Sequence, residues 1–207
     1  MAEMTRFTAA EAAFVLREPI RAVKKALDRG PVRPTLELRS GVTLRVIDWA
    51  DLLYLVAVRA LREDLTPSAR QGFYEALRRV QPACGDEVRF GRFRVAVADF
   101  VDEVKQRTTE LVDLRNAVAF ADDGKPVLAA RGVEVHRIAA LLNGGLSVDA
   151  VLEEYPFLSH DAVEIARAYA LASPRPGRPY PRTTANRAMR ENRLEPPDEV
   201  PLEDDAV

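Results

Sequence analysis

The chain has 207 residues and a mass of 23.0 kDa, with a formal net charge of -2, 47% hydrophobic residues, 30% charged residues and a mean hydropathy of -0.17. These values describe a globular chain with material for a sizeable core, and they exclude a collagen-like chain, a disordered chain, a membrane bundle and a uniformly basic nucleic-acid coat. A single cysteine, Cys84, forms no intramolecular disulfide, and no apolar run is long enough for a membrane span or placed as a leader, so a cytoplasmic protein with no membrane partner is expected.

The predicted elements begin with helices. Thr8 stands where it can cap a helix carrying Ala12, Ala13, Val15 and Leu16, and Pro19 stands where a second helix can start. In that second helix Ile20, Val23 and Leu27 recur at i, i+3 and i+7 and make a core stripe, which Gly30-Pro31 ends. Two short helices with only Arg17, Glu18 and Pro19 between them have helix-turn-helix dimensions. Strands at 35–38 and 42–46 about Ser40-Gly41 read as a wing-like hairpin. Asp48 then caps a helix expected over 49–65, whose Trp49, Leu52, Leu53, Leu55, Val56, Val58 and Leu61 spread around much of its circumference and point to a subunit interface.

Thr66-Pro67 starts another helix through Val80, a second hairpin is expected over 87–90 and 93–97, and a helix over 99–117 carries Phe100, Val104, Leu111 and Leu114. A turn signal at Asp122-Asp123-Gly124-Lys125-Pro126 precedes short strands at 127–128 and 133–135. Three short helices follow, at 136–143, 148–154 and 161–171, punctuated by Gly144-Gly145, Ser147, Pro156 and Ser159.

The chain changes character at Ser173. Seven of the fourteen prolines lie in 173–207, which has few large apolar residues and so reads as an extended tail without a core of its own. Arg175, Arg178, Arg182, Arg187 and Arg190 give 173–190 a balance of +5, while 191–207 has seven acids against Arg193 alone, a balance of -6. The expected architecture is therefore mainly α with short β-hairpins. It divides into a winged helix-turn-helix-like unit at 1–46, a helical and hairpin dimerisation region at 47–121, a trihelical domain at 122–172 and the tail.

The run from Leu142-Asn143-Gly144-Gly145-Leu146-Ser147 through Val151-Leu152, Tyr155-Pro156-Phe157-Leu158-Ser159 and Asp161-Ala162-Val163 resembles the trihelical antitoxin domain of VapB-type proteins. The likeness covers about 125–172. Its upstream strand departs from the family pattern, with Ala130-Arg131-Gly132-Val133-Glu134-Val135 where G-T-R-[I/V]-P-V is common. The opening Phe7-Thr8-Ala9-Ala10-Glu11-Ala12-Ala13 is similar to MerR and excisionase-type readers. The resemblance implies an antitoxin of a type II toxin-antitoxin pair. Such a protein dimerises, represses its own operon by binding operator DNA, and blocks a PIN-like ribonuclease toxin with a C-terminal extension.

DNA binding would fall to Arg17, Arg21, Lys24, Lys25 and Arg29, in a segment (1–34) with seven bases against four acids. Arginine reads guanine edges and lysine neutralises phosphates; the alternative is a solvated basic face. Toxin binding would fall to Arg175, Arg178, Arg182, Arg187, Arg190 and Arg193, because guanidinium pairs bidentately with the metal-binding carboxylates of a nuclease pocket. Tyr180, Met189 and Leu194 would be apolar anchors, and Thr184 the cap of a short helix; the alternative is a linker without a partner. The runner-up for the whole chain is a stand-alone helix-turn-helix transcriptional regulator. His136, His160 and Cys84 are too few and too scattered for a zinc site or nucleophilic triad, and no glycine motif cradles phosphate, so no cofactor, metal site or catalytic residue is expected.

Overall fold

The computed structural model describes residues 6–39, 41–80, 87–128, 132–175, 177 and 180–183. Eight helices and eight short strands occur among them, with 56% of these residues helical, so the mainly α character expected from the sequence holds. Strand β1 (Arg6–Thr8) leads into α1 (Ala9–Leu16) and α2 (Ile20–Arg29); β2 (Thr35–Arg39) and β3 (Val42–Asp48) lead into α3 (Trp49–Ala60) and α4 (Pro67–Val80). A hairpin of β4 (Glu87–Phe90) and β5 (Phe93–Ala96) precedes the long α5 (Ala98–Asn116). Strands β6 (Val118–Phe120), β7 (Pro126–Leu128) and β8 (Val133–Glu134) precede α6 (Val135–Asn143), α7 (Val148–Glu154) and α8 (His160–Ala172). No helix among the described residues is long and apolar enough to cross a membrane.

All three sheets are antiparallel and small, with orders β1-β3-β2, β4-β5 and β6-β7-β8. The first was only half expected. Strand β1 pairs Phe7 with Ile47 and Thr8 with Val46, so the residues just before α1 complete the sheet instead of forming a loop. Phe7 and Ile47 lie on one face of that sheet and are almost wholly buried, which seats it on the helices.

Both helices that leave this sheet start with the same device. At α1 the Thr8 Oγ1 accepts from the Glu11 N–H at 3.3 Å, and a Glu11 carboxylate oxygen accepts from the Thr8 N–H at 2.8 Å. At α3 Asp48 and Asp51 exchange the equivalent bonds at 3.0 Å each. Such reciprocal capping satisfies two backbone donors that a helix start leaves over.

The core is continuous. Helix α1 touches α2, α3, α5 and α8, and α5 also touches α8, so residues from the beginning, middle and end of the chain share one apolar cluster. Phe7, Val15, Leu52, Leu53, Phe73, Leu77, Leu111, Ile138 and Leu141 are among its fully buried members.

Helix α3 corrects one sequence expectation. Leu52 to Ala57 are all buried within this one chain, against α1, α4 and α5, so its apolar circumference belongs to the core and gives no argument for a subunit interface. It also ends at Ala60, with Leu65 buried from the following turn, instead of running to residue 65.

Candidate nucleic-acid interface and tail contacts

Helix α2 is polar on all but one side. Val23 and Leu27 are its buried residues, and Arg21, Lys24, Lys25 and Arg29 are exposed. Spacings of three, four and eight residues put these four cations on adjoining turns. The helix's own acid, Asp28, is taken by Arg45 of β3 at 2.7 Å, so the exposed side of α2 keeps its positive charge and the hairpin is tied to the helix. None of the four cations meets a carboxylate among the described residues.

Arg17 sits apart from that group. It is the αL residue that closes α1, with φ 50 and ψ 41, and it is the non-glycine residue with positive φ among those described. Its N–H donates to the Phe14 carbonyl at 3.1 Å and the Glu18 N–H to the Ala13 carbonyl at 3.0 Å, the pair of bonds that normally ends on glycine. Its guanidinium lies 3.6 Å from Glu110 of α5, over an open depression also lined by Asp99, Asp102, Glu103, Gln106 and Arg107. Two further arginines finish the helix end: Arg107 donates to the Val15 carbonyl at 3.0 Å and Arg59 to the Leu16 carbonyl at 2.8 Å. Sequence reasoning put Arg17 with the DNA-facing residues; the structure gives it an acidic neighbour on α5.

Among the described residues two acids are nearly fully buried, Glu11 at 4% exposed and Asp51 at 3%. Glu11 pairs with Arg115 of α5 and has Arg39 of β2 at 3.7 Å, so one carboxylate joins helix start, hairpin and long helix. Asp51 accepts from the Tyr74 hydroxyl at 2.8 Å and from Arg78 at 3.1 Å. Burial pushes its carboxyl above the usual carboxylate range, against the opposing pull of its hydrogen bonds. Tyr74 is pushed up to about 12, by burial first and then by the Asp51 bond. Neither acid was singled out from the sequence, although each stands three residues after its helix cap, Thr8 or Asp48. Their partners stand 23 to 104 residues away.

At the other end of the chain, α7 and α8 start on Ser147 and Ser159, whose hydroxyls accept from the Ala150 and Ala162 N–H groups at 3.2 and 3.1 Å. Gly145, at φ +94, closes α6 with bonds from its own N–H to Leu142 and from the Leu146 N–H to Leu141. The neighbouring Gly144 serves a different purpose. A Cβ there would run into the backbone carbonyl and Cβ of Arg182, because the chain after α8 comes back across the end of α6. Arg137 of α6 holds it there, donating to the Pro181 carbonyl at 3.0 Å and to the Thr183 carbonyl at 3.4 Å.

The start of the tail is therefore docked on the fold, a difference from the expected free arm. Arg175 lies 4.2 Å over the Tyr180 ring, a cation–π pair, and the Arg182 side chain is exposed. Burial holds the His136 imidazole below its ordinary pKa, Arg175 adds to the depression and Glu134 opposes it. Of the predicted toxin-binding residues, Arg178, Arg187, Met189, Arg190, Arg193 and Leu194 lie outside the described residues, as do Thr184 and Cys84. His160 lies 3.3 Å from Asp149, and no group of three or more His, Cys, Asp or Glu side chains is placed to hold a metal among the described residues.

Comparison with known proteins adds three findings. Residues 123–170 match the model of a protein family of unknown function, DUF433, over almost the same segment that carries the sequence resemblance. The uncharacterised protein y4eO of Sinorhizobium fredii is 33% identical over 82 residues, which cover 38% of this chain and 37% of that protein. The crystal structure of Rv2018 from Mycobacterium tuberculosis aligns with 77% of this chain and 95% of its own at 16% identity, with a TM-score of 0.32, too low to carry an argument. What this chain contains at 123–170 is a segment similar to DUF433.

Proposed function

We propose that the protein is a dimeric antitoxin of the VapB type, with a DNA-reading helix-turn-helix at its beginning and a toxin-inhibiting segment at its end. The observation that carries the DNA reading is the exposed side of α2, where Arg21, Lys24, Lys25 and Arg29 stand together while the nearby acid Asp28 is neutralised by Arg45. In the helix-turn-helix reading α1 braces the turn and α2 enters the major groove, its first turns meeting base edges. Arg21 reads a guanine edge; Lys24, Lys25 and Arg29 neutralise phosphates. Arg17 serves the turn itself.

The toxin reading rests on the α6–α8 segment, its resemblance to the trihelical antitoxin domain, and the charge segregation of the tail. Since 180–183 are held against α6, the inhibitory contact falls to the chain beyond them, with Arg187, Arg190 and Arg193 offered to the carboxylates of a PIN-like ribonuclease and Met189 and Leu194 as anchors. The second reading is a regulator without a toxin, favoured by the same α2 face.

Binding of the chain to its own promoter DNA tests the first part. Arg21→Ala is expected to cost about 1–3 kcal/mol and to relax preference at one base pair, while Lys24→Ala and Lys25→Ala each lower the salt slope by about 1. Unchanged binding in all three variants rejects the assignment. Co-expression with the neighbouring gene's product tests the second part: the full chain is expected to silence its nuclease activity, and a chain ending at Ala172 to lose that inhibition. Failure of both chains to bind leaves the regulator.

A further inference from the structure

The edge of the first sheet is unusual for its exposed leucines. Leu36 and Leu38 of β2 are each 71% exposed, on the free side of a sheet whose order is β1-β3-β2. Their register partners, Arg45 and Thr43, share a face with Ile47, so the side of the sheet that buries Phe7 and Ile47 continues past the molecule's own helices as two uncovered leucines. Edge strands of soluble proteins are ordinarily blunted by charge, bulge or cover. On this side β2 has none of these.

Backbone parity fixes what this edge can accept. Arg39 and Val42 flank a two-residue connection, so they form the hydrogen-bonded closing pair of the hairpin, and Glu37 and Thr35 follow with the same inward parity. Leu36 and Leu38 then point their N–H and C=O groups outward. An antiparallel strand pairing on them has three nearby registers. One sets Leu38 opposite Pro34, which has no N–H to give; another sets Leu36 opposite residue 40, in the connection. The third is centred on Glu37 and pairs Leu36 with Leu38 of a second copy, and Leu38 with its Leu36, satisfying all four outward residues.

We infer that β2 pairs with β2 of a second copy of this chain in that register, forming a two-fold, six-stranded sheet with a four-leucine cluster on one face. The opposite face carries the charges. Glu37 meets Glu37 of the second copy at the dyad, but each carboxylate already holds Arg39 at 2.8 Å and Arg6 at 3.3 Å, so two neutralised clusters meet in place of two bare acids. The dyad is perpendicular to the sheet, so both copies of α2, tied through Asp28 and Arg45 to the leucine side, stand on one side of the dimer. This supplies the interface for the dimer of the functional reading and is tested without DNA or toxin, so its failure and the failure of that reading are separate results.

The test is the molar mass of the full chain by sedimentation up to about 200 μM, where small interfaces associate. A dimer is expected for the parent, and a monomer for Leu36→Lys combined with Leu38→Lys. In dilute solution, where the parent dimer is dissociated, that variant is expected to keep the parent's circular dichroism and melting temperature, because both positions are exposed in the single chain. Residue 37 sits at the non-hydrogen-bonded dyad, where Cα atoms approach to about 4.5 Å, within disulfide range. In a Cys84→Ser background, Glu37→Cys is therefore expected to cross-link between copies under mild oxidation well ahead of Leu36→Cys. A monomeric parent, a lysine variant that stays dimeric, or equal cross-linking at 36 and 37 overturns the proposal.

Discussion

Helices α1 and α6 end in the same way but are held in different ways. Each closes on a residue with positive φ and the same two backbone bonds, yet at α6 that residue is Gly145 and at α1 it is Arg17. The α6–α8 segment is punctuated by neighbours in sequence: Gly145, Ser147 and Ser159 act within a few residues of where they stand. At α1 the fastening comes from far away. Arg115 and Arg39 hold Glu11 at its start, and Arg59 and Arg107 hold its last carbonyls. A locally punctuated segment leaves a motif that can be read and matched, whereas a helix fixed by distant arginines leaves almost no signature.

The largest test of this contrast is Glu11→Ala, expected to lower stability by about 3 kcal/mol, because it removes one half of the reciprocal cap and the nearly buried carboxylate on which Arg115 and Arg39 converge. Urea titration measures it. Removal of Arg115 alone is expected to cost a comparable amount, since it leaves the Glu11 carboxylate nearly buried with only the more distant Arg39 at 3.7 Å beside it. A negligible cost for Arg115→Ala means that the acid matters only as a cap.

Gly144→Ala comes next, at about 2 kcal/mol, since the added methyl meets the Arg182 backbone. Combined with truncation after Ser173 the penalty is expected to fall sharply, because the obstacle has gone. An unchanged penalty in the truncated chain places the cost elsewhere. Ser147→Ala and Ser159→Ala are each expected to cost about 1 kcal/mol through the lost caps.

The smallest stability effect should fall on the αL positions and be unequal. Arg17→Gly is expected within about 0.5 kcal/mol of neutral, because relief of the αL strain is offset by greater freedom in the unfolded chain. Gly145→Ala is expected to cost about 1 kcal/mol. Thermal melts distinguish the two.

A pH experiment probes the docked tail. His136 titrates below its ordinary value in the folded protein, so on acidification the unfolded chain takes up the proton first and stability falls as pH drops through the unfolded pKa near 6.5. His136→Gln is expected to flatten that slope. Arg175→Ala is expected to move the imidazole titration upward in a proton NMR series, since it removes one cause of the depression and leaves Glu134. An unmoved titration separates Arg175 from His136 in solution.

Much of the local structure was legible. Thr8, Asp48, Ser147 and Ser159 cap the helices they were expected to cap, and the strands about residues 40–41 and 91–92 pair as expected. The exposed cations of α2 followed from the stripe of Val23 and Leu27. Strand β1 was not legible, because three residues carry too little periodicity and pair only when β3 lies beside them. The girth of α3 misled for a related reason: an apolar circumference states that a helix is covered but not by what, and here α1, α4 and α5 of the same chain cover it.

By itself the sequence determined where helices start and stop, which side of α2 stays wet, and the 123–170 segment that other chains share, because caps, turns and periodicity act over a few residues. Only the tertiary structure decided that Glu11 joins three elements, that Arg17 faces Glu110, that residues 180–183 lie across Gly144, and that Leu36 and Leu38 are left without cover. Those outcomes depend on groups brought together across as many as 104 residues, a separation over which composition and spacing carry no information about which side chains meet.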